Sequence, residues 1–201
     1  MSFNLTLNSY DGRDAARVVV PIGVRDIAAG AFAKHAEIES IELPEGLEAI
    51  GDEAFRGCLG LHEVMLPSTL RSLGRRAFRN CAALERVVVP AGLEVVPEGA
   101  FSQCARLREV VGGAGLYGIG EEAFAGCKAL AVCEPLEHAL DIGDRAFSWC
   151  VSLPALDFPR EMVYIGHAAF RHCTALSALS LPEKITYLAD DAFLGCAGLE
   201  G

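Results

Sequence analysis

The sequence predicts a mainly β solenoid, an elongated stack of 23-residue coils that each hold a short strand and a tight helical turn. Three observations predict it. Phenylalanine recurs at Phe32, Phe55, Phe78, Phe101, Phe124, Phe147, Phe170 and Phe193, always after an alanine and always 23 residues apart. A period held through eight copies without an insertion is the mark of a repeat array. Inside one copy the apolar spacing changes from three (Phe55, Cys58, Leu61) to two (Val64, Leu66), as it does where a tight turn gives way to a strand. Helix-pair repeats take about 33 residues or more, so 23 is too short for them.

Each element of a coil follows from its residues. Three residues after Phe stands Cys58, Cys81, Cys104, Cys127, Cys150, Cys173 or Cys196, with His35 in the first copy; three further on stands Ile38 or a leucine. These steps suit a 3₁₀-like turn. Val64 and Leu66 then point inward on a strand with Met65 facing out, and Pro67 ends the ladder because it has no N–H to give. Leu70 and Leu73 lead to the next Ala-Phe pair. Strands from successive coils should pair about 4.8 Å apart, which makes eight coils a rod on the order of 40 Å long.

The ends depart from the period. Residues 1–17 read as an N-terminal capping strand and turn: Phe3, Leu5 and Leu7 alternate with polar residues, and Asp11-Gly12 signals a turn before Val18-Val19-Val20. Residues 18–201 read as the solenoid, about eight repeats, the last stopping at Leu199-Glu200-Gly201 before its strand. Either the sequence is truncated there or that end docks on something, including end-to-end self-association. In the middle, Gly112, Gly113 and Gly115 replace the Leu-Pro region, and Cys133-Glu134-Pro135-Leu136 replaces the next one. These read as a local flattening or bulge, or as a place where a partner backbone approaches closely.

The totals exclude several classes of function. With 17 Lys+Arg against 27 Asp+Glu the chain carries −10, which argues against nucleic acid or an anionic membrane as partner. No apolar run approaches the ~20 residues of a membrane span. Ser-Phe-Asn-Leu after Met1 offers neither a basic n-region nor an apolar core, so no signal peptide is read and the chain as given is cytoplasmic. No cofactor and no metal is expected. The cysteines lack a C-x-x-C pair and read as buried reduced thiols, although stacked neighbours fall within disulfide range. "GIGEEA" at Gly118–Ala123 mimics a nucleotide fingerprint, but the period already explains it. Asn4-Leu5-Thr6 is a glycosylation sequon without weight. His167 and His172 flank Phe170 at variable positions and read as solvated surface. With no catalytic motif, the chain reads as a non-enzyme.

The line "IGDEAFRGCLGLHEVMLP", Ile50–Pro67, followed by "LGRRAFRNCAALERVVVP", Leu73–Pro90, resembles the BspA-like leucine-rich repeat family, whose unit runs roughly I-x-x-x-A-F-x-x-C-x-x-L-x-x-V-x-L-P-x-x-L. Leucine-rich repeats take about 20–29 residues. The resemblance covers about residues 18 to 201. It implies a right-handed β-solenoid used for protein–protein contact, of the kind seen in bacterial surface and adhesion proteins. Where the family commonly has Ser, Thr and Asn at variable positions, this chain has Glu, Arg and Ala. The alternative is an intracellular scaffold, or the repeat segment of a larger protein with its activity elsewhere.

Binding then falls on letters that vary. The outward strand positions run Val19, Glu42, Met65, Val88, Val111, Glu134, Asp157 and Ser180, and the preceding outward positions run Arg17, Ser40, Glu63, Arg86, Glu109, Val132, Ala155 and Ala178. Met65, Val88 and Val111 line up as an apolar strip rimmed by Glu42, Glu134 and Asp157 and flanked by a Glu63–Arg86–Glu109 ladder, the anatomy of a protein-binding patch. Plain cross-strand stabilisation is the competing reading. Tyr164 and Tyr187, one period apart, form a weaker second patch.

Overall fold

The structure is a computed structural model that describes residues 5–12 and 16–199. Every strand pairing in it is parallel, and each links one coil to the next. The outward positions described above lie on the front sheet, with strands Arg17–Val19, Ser40–Glu42, Glu63–Met65, Arg86–Val89, Glu109–Gly112 and Val132–Cys133, followed by a separate pair, Ala155–Asp157 and Ala178–Ser180. The back sheet has Leu5–Leu7, Val24–Ile27, Ala49–Ile50 and Ser72–Leu73, then a five-stranded set from Val95–Val96 to Tyr187–Leu188.

The coil's turn supplies what the strands leave open. Phe55 donates its N–H to the Ala77 carbonyl at 2.8 Å, and the same link joins Phe78 to Ala100, Phe101 to Ala123 and so on to Ala192. Cys58 and Leu61 donate to Phe55 and Cys58 at 3.2 Å, the i to i−3 pattern the spacing of three predicted. The turn bends through left-handed backbone two residues after Phe, where Gly57, Gly126 and Gly195 alternate with Lys34, Asn80, Gln103, Trp149 and His172 at φ 59–68°. A residue with a Cβ there accepts a strain of about 1–2 kcal/mol.

The eight phenylalanine rings stack down the axis, with successive centroids 4.9–5.5 Å apart and planes within 17° of parallel. From Phe32 to Phe170 they are buried. Columns of Ala, Cys, Leu and Val run beside them, so one continuous apolar core spans the coils. Each thiol does more than fill space. Cys58 Sγ donates to the Phe32 carbonyl at 3.1 Å, and the other six aligned cysteines repeat this bond to the previous coil's Phe at 3.0–3.2 Å. No buried side-chain nitrogen or oxygen is left without a partner among the described residues.

The first coil is closed by Leu5–Leu7, which pairs parallel with Val24–Ile27, and by Tyr10, whose ring lies 5.1 Å from Phe32 and takes the place of a preceding phenylalanine. Phe3 and Asn4 lie outside the described residues, as does part of the segment expected to turn after Asp11-Gly12.

Two prolines interrupt the sheets. Gly51, Gly74 and Gly120 each donate to the preceding coil's back strand at 2.7–2.8 Å; the fourth coil has Pro97 at that position, and the back sheet breaks between Ser72–Leu73 and Val95–Val96. His62, Glu85, Arg108 and Ala131 link successive front coils at 2.8–3.1 Å; Pro154 cannot, and the front sheet breaks between Val132–Cys133 and Ala155–Asp157.

The glycines do not make a bulge. Glu109–Gly112 pairs with Arg86–Val89 in continuous register. Gly112 and Gly113 instead hold φ of 84° and 76° beside Val89, whose carbonyl a Cβ on Gly112 would strike. Replacing Phe101 by Ala should destabilise the rod by about 3–5 kcal/mol. Hydrogen exchange should rise first in the two neighbouring coils, since each coil touches only its neighbours; an unchanged urea midpoint by circular dichroism would remove Phe101 from the core.

Candidate protein-binding surface

Strand alternation turns Val64, Val87 and Val110 inward and Met65, Val88 and Val111 outward. Register brings the outward three together: Met65 stands opposite Val88, and Val88 opposite Val111. Met65 is 65% exposed; Val88 and Val111 are half-buried against their neighbours. Alongside, Glu63, Arg86 and Glu109 are likewise in register, and Arg86 bridges both carboxylates at 3.5 and 3.4 Å. Exposed pairs of this kind contribute under about 1 kcal/mol each, so their value lies in holding the Arg86 guanidinium between Glu63 and Glu109 beside the strip. Next to Met65 a shallow groove runs between Glu42, Glu45 and Pro67.

Two rim residues differ from expectation. Glu134 is not on a strand: Pro135 starts a 3₁₀ turn over Glu134–Glu137, and the Glu134 carboxylate accepts the Gly112 N–H at 2.5 Å. It closes the end of Glu109–Gly112 instead of rimming the strip. Asp157 is exposed, but it lies across the break in the front sheet. Glu42 stays on the rim, paired with Arg17. Val132, which the sequence places outward in the same column as Glu109 but outside the patch, is exposed beside Glu109 and extends the apolar surface by one coil.

On the back sheet Tyr164 and Tyr187 stack at 4.8 Å with an 11° tilt. Burial, then Asp144, pushes the Tyr164 phenol up. The Tyr187 hydroxyl reaches His167 Nε2 at 3.1 Å, and His167 Nδ1 reaches Asp191 at 3.2 Å. With Nδ1 protonated, the imidazole donates to Asp191 and accepts from Tyr187. His167 is therefore exposed but bonded, a link signalled only by spacings close to one period. Below Tyr164, Gly118 leaves a notch between Val95 and Asp141.

No group of three or more His, Cys, Asp or Glu side chains is placed to hold a metal ion among the described residues. All eight cysteines are buried and free. Burial pushes the thiols of Cys58, Cys127, Cys133 and Cys150 up, Cys58 to about 12. Cys133 lies in the core position that Val64 and Val87 occupy elsewhere, as the repeat predicts.

A parallel-stranded rod with a ring column inside and its variable letters on the strand faces is a leucine-rich-repeat solenoid. The BspA type leucine rich repeat region matches residues 25–132 and 140–201, in six copies, and the chain belongs to that family. Among solved structures it is similar to a leucine-rich repeat protein of T. pallidum, at 29% identity and a TM-score of 0.75, over 85% of this chain and 82% of that one. It is also similar to one of Eubacterium ventriosum, at 27% identity and a TM-score of 0.66, over 94% of this chain but 45% of that one. A leucine rich cell surface protein of Faecalibacterium prausnitzii shares the fold at 24% identity and a TM-score of 0.58, over 91% of this chain and 58% of that one. No curated protein sequence matches the chain.

The raised thiols set a pH dependence. Cysteines in the unfolded chain titrate near 8.5. A thiol whose folded value is higher holds its proton in the native state, so its stabilisation is complete below about pH 8.5 and is lost as pH rises toward the folded value. The loss is up to about 1.4 kcal/mol per pH unit for each buried thiol. The urea midpoint should therefore fall steeply above pH 8.5, and less steeply in a Cys58→Ala/Cys150→Ala variant; equal slopes would show that these thiols titrate freely.

Proposed function

We propose that the chain is a non-catalytic protein-recognition module and that the central front sheet is its contact surface. The observation that supports this most is the in-register strip Met65–Val88–Val111, solvent-facing and flanked by the Glu63–Arg86–Glu109 ladder. Repeats of this family are in general protein-interaction modules. A methionine at the centre suits adaptable packing against a partner's apolar side chains, and a fixed guanidinium between two carboxylates sets orientation. Glu42 and Val132 extend the surface at its two ends. Tyr164 and Tyr187 form a second, smaller contact face on the back sheet.

Attachment at a bacterial surface, with an adhesive role, is the setting the family resemblance suggests. No helix among the described residues is long and apolar enough to cross a membrane. The alternative, a scaffold or repeat segment of a larger protein, uses the same strip. At the last coil Leu181, Leu188 and Leu194 are exposed, which favours stacking of a further solenoid surface on that end.

Replacing Met65, Val88 and Val111 together by Ser should leave the far-UV spectrum unchanged and weaken partner binding at least about tenfold, which is about 1.4 kcal/mol. Quantitative pull-down with immobilised wild-type and variant chains reads this directly. Undiminished retention of the same partners by a folded variant would end the assignment of the strip.

A further inference from the structure

The net charge of −10 hides a segregation of charge. In the five residues that follow each phenylalanine, across all eight coils, there are six cations, Lys34, Arg56, Arg79, Arg106, Lys128 and Arg171. The same segments hold one carboxylate of the chain's 27, Glu37, and it faces His35 at 2.7 Å. Coils one to five and coil seven each contribute one cation. The segments form the turn edge of the rod, away from both strand faces. Five of the six side chains are exposed and Arg79 is half-buried. Only Arg56 has a carboxylate partner, Glu53 at 2.9 Å; among the described residues the other five make no ion pair.

The sixth coil, which lacks a cation, has the chain's one tryptophan instead. Trp149 is 51% exposed in a strained left-handed position, and its ring lies 4.2 Å from that of His172 in the next coil. Gly126 and Gly195 occupy the equivalent position on either side, so this aromatic shelf, its two planes tilted by 37°, has no side chain at that position in the coil before or after it. The left-handed backbone is the bend that each coil's turn makes at this position, but the core does not account for the exposed ring.

We propose that this edge binds a single anionic polysaccharide chain laid along the rod, with its charged groups on the cation row and a sugar ring on the Trp149–His172 shelf. The combination of cations with an exposed ring pair selects the ligand. The cations stand one (Arg56, Arg79, Arg171), two (Lys34), four (Lys128) or five (Arg106) residues after their phenylalanine, so they form a band along the edge that a flexible anionic chain can follow. The Trp149 and His172 rings add an apolar stacking face suited to a sugar ring, for which the side chain of an acidic peptide has no counterpart. The flanking columns are mixed, Glu39 and Glu85 alternating with His62 and Arg108 on one side and Glu53 and Glu122 with Arg76 and Arg145 on the other, so the carboxylate-poor band is confined to the turn itself. The site lies on a different edge from the strip proposed for protein binding, so either assignment can fail alone.

Heparin oligosaccharides serve as the probe, titrated calorimetrically into the purified chain at low and at high salt. Binding should be present at low salt and weaken at least about tenfold at high salt. The variant Arg79→Ala/Arg106→Ala/Lys128→Ala/Arg171→Ala should lose about 100-fold in affinity, and Trp149→Ala about tenfold, with unchanged circular dichroism. The variant Arg17→Ala/Arg25→Ala/Arg75→Ala/Arg145→Ala removes the same charge elsewhere and should stay within about twofold of wild type. The proposal is overturned by no binding at low salt, by an equal loss in the second quadruple variant, or by an unaffected Trp149→Ala. Tighter binding of poly-glutamate or single-stranded DNA than of heparin also overturns it, in favour of a peptide or nucleic-acid ligand.

Discussion

Everything in this fold depends on neighbouring coils staying in register around the phenylalanine column. A ring 4.9–5.5 Å from the next fixes the axial step, and that step is the one parallel strands need to exchange hydrogen bonds. The N–H of each Phe is bonded to the following coil's Ala carbonyl, and its own carbonyl takes an S–H from the following coil's Cys. One residue per coil thus joins apolar burial to two links along the axis. This is why the period tolerates no insertion: a shift of one residue would lose stacking, thiol bond and strand register together.

The same constraint decides where function can lie. Inward letters are committed to packing, so recognition falls on the outward strand letters and on the turn edge. On the front sheet register assembles an apolar strip with a bridged charge ladder beside it. On the turn edge six of the eight coils contribute a cation and almost no carboxylate. Two faces of opposite character arise from one period because each samples a different column of variable residues.

Much of this was legible in the sequence. The Phe, Cys and Leu spacings gave the coil, and alternation around Val64 and Val87 placed Met65 and Val88 outward and side by side. What escaped notice involved single-copy exceptions that a repeat pattern averages away. Pro97 and Pro154 stand where other coils use an N–H, and only the ladder shows what their absence of a donor does. Glu134 keeps its place in the alignment, but Pro135 winds the backbone and takes the carboxylate to Gly112. Tyr10 lies before the period begins, so no spacing linked it to Phe32. The thiol-to-carbonyl bonds were hidden because a column of buried Cys is equally consistent with mere volume filling.

The two sheet breaks fall at different heights. The back sheet opens before Val95, while the front sheet remains continuous there through Glu109–Gly112; the front sheet opens before Ala155, where the back sheet runs unbroken from Asp141 to Tyr164. Like offset joints in masonry, the two seams lie at different levels, so among the described residues no transverse plane has both sheets parted. Under tension along its length the rod should peel coil by coil and not snap across.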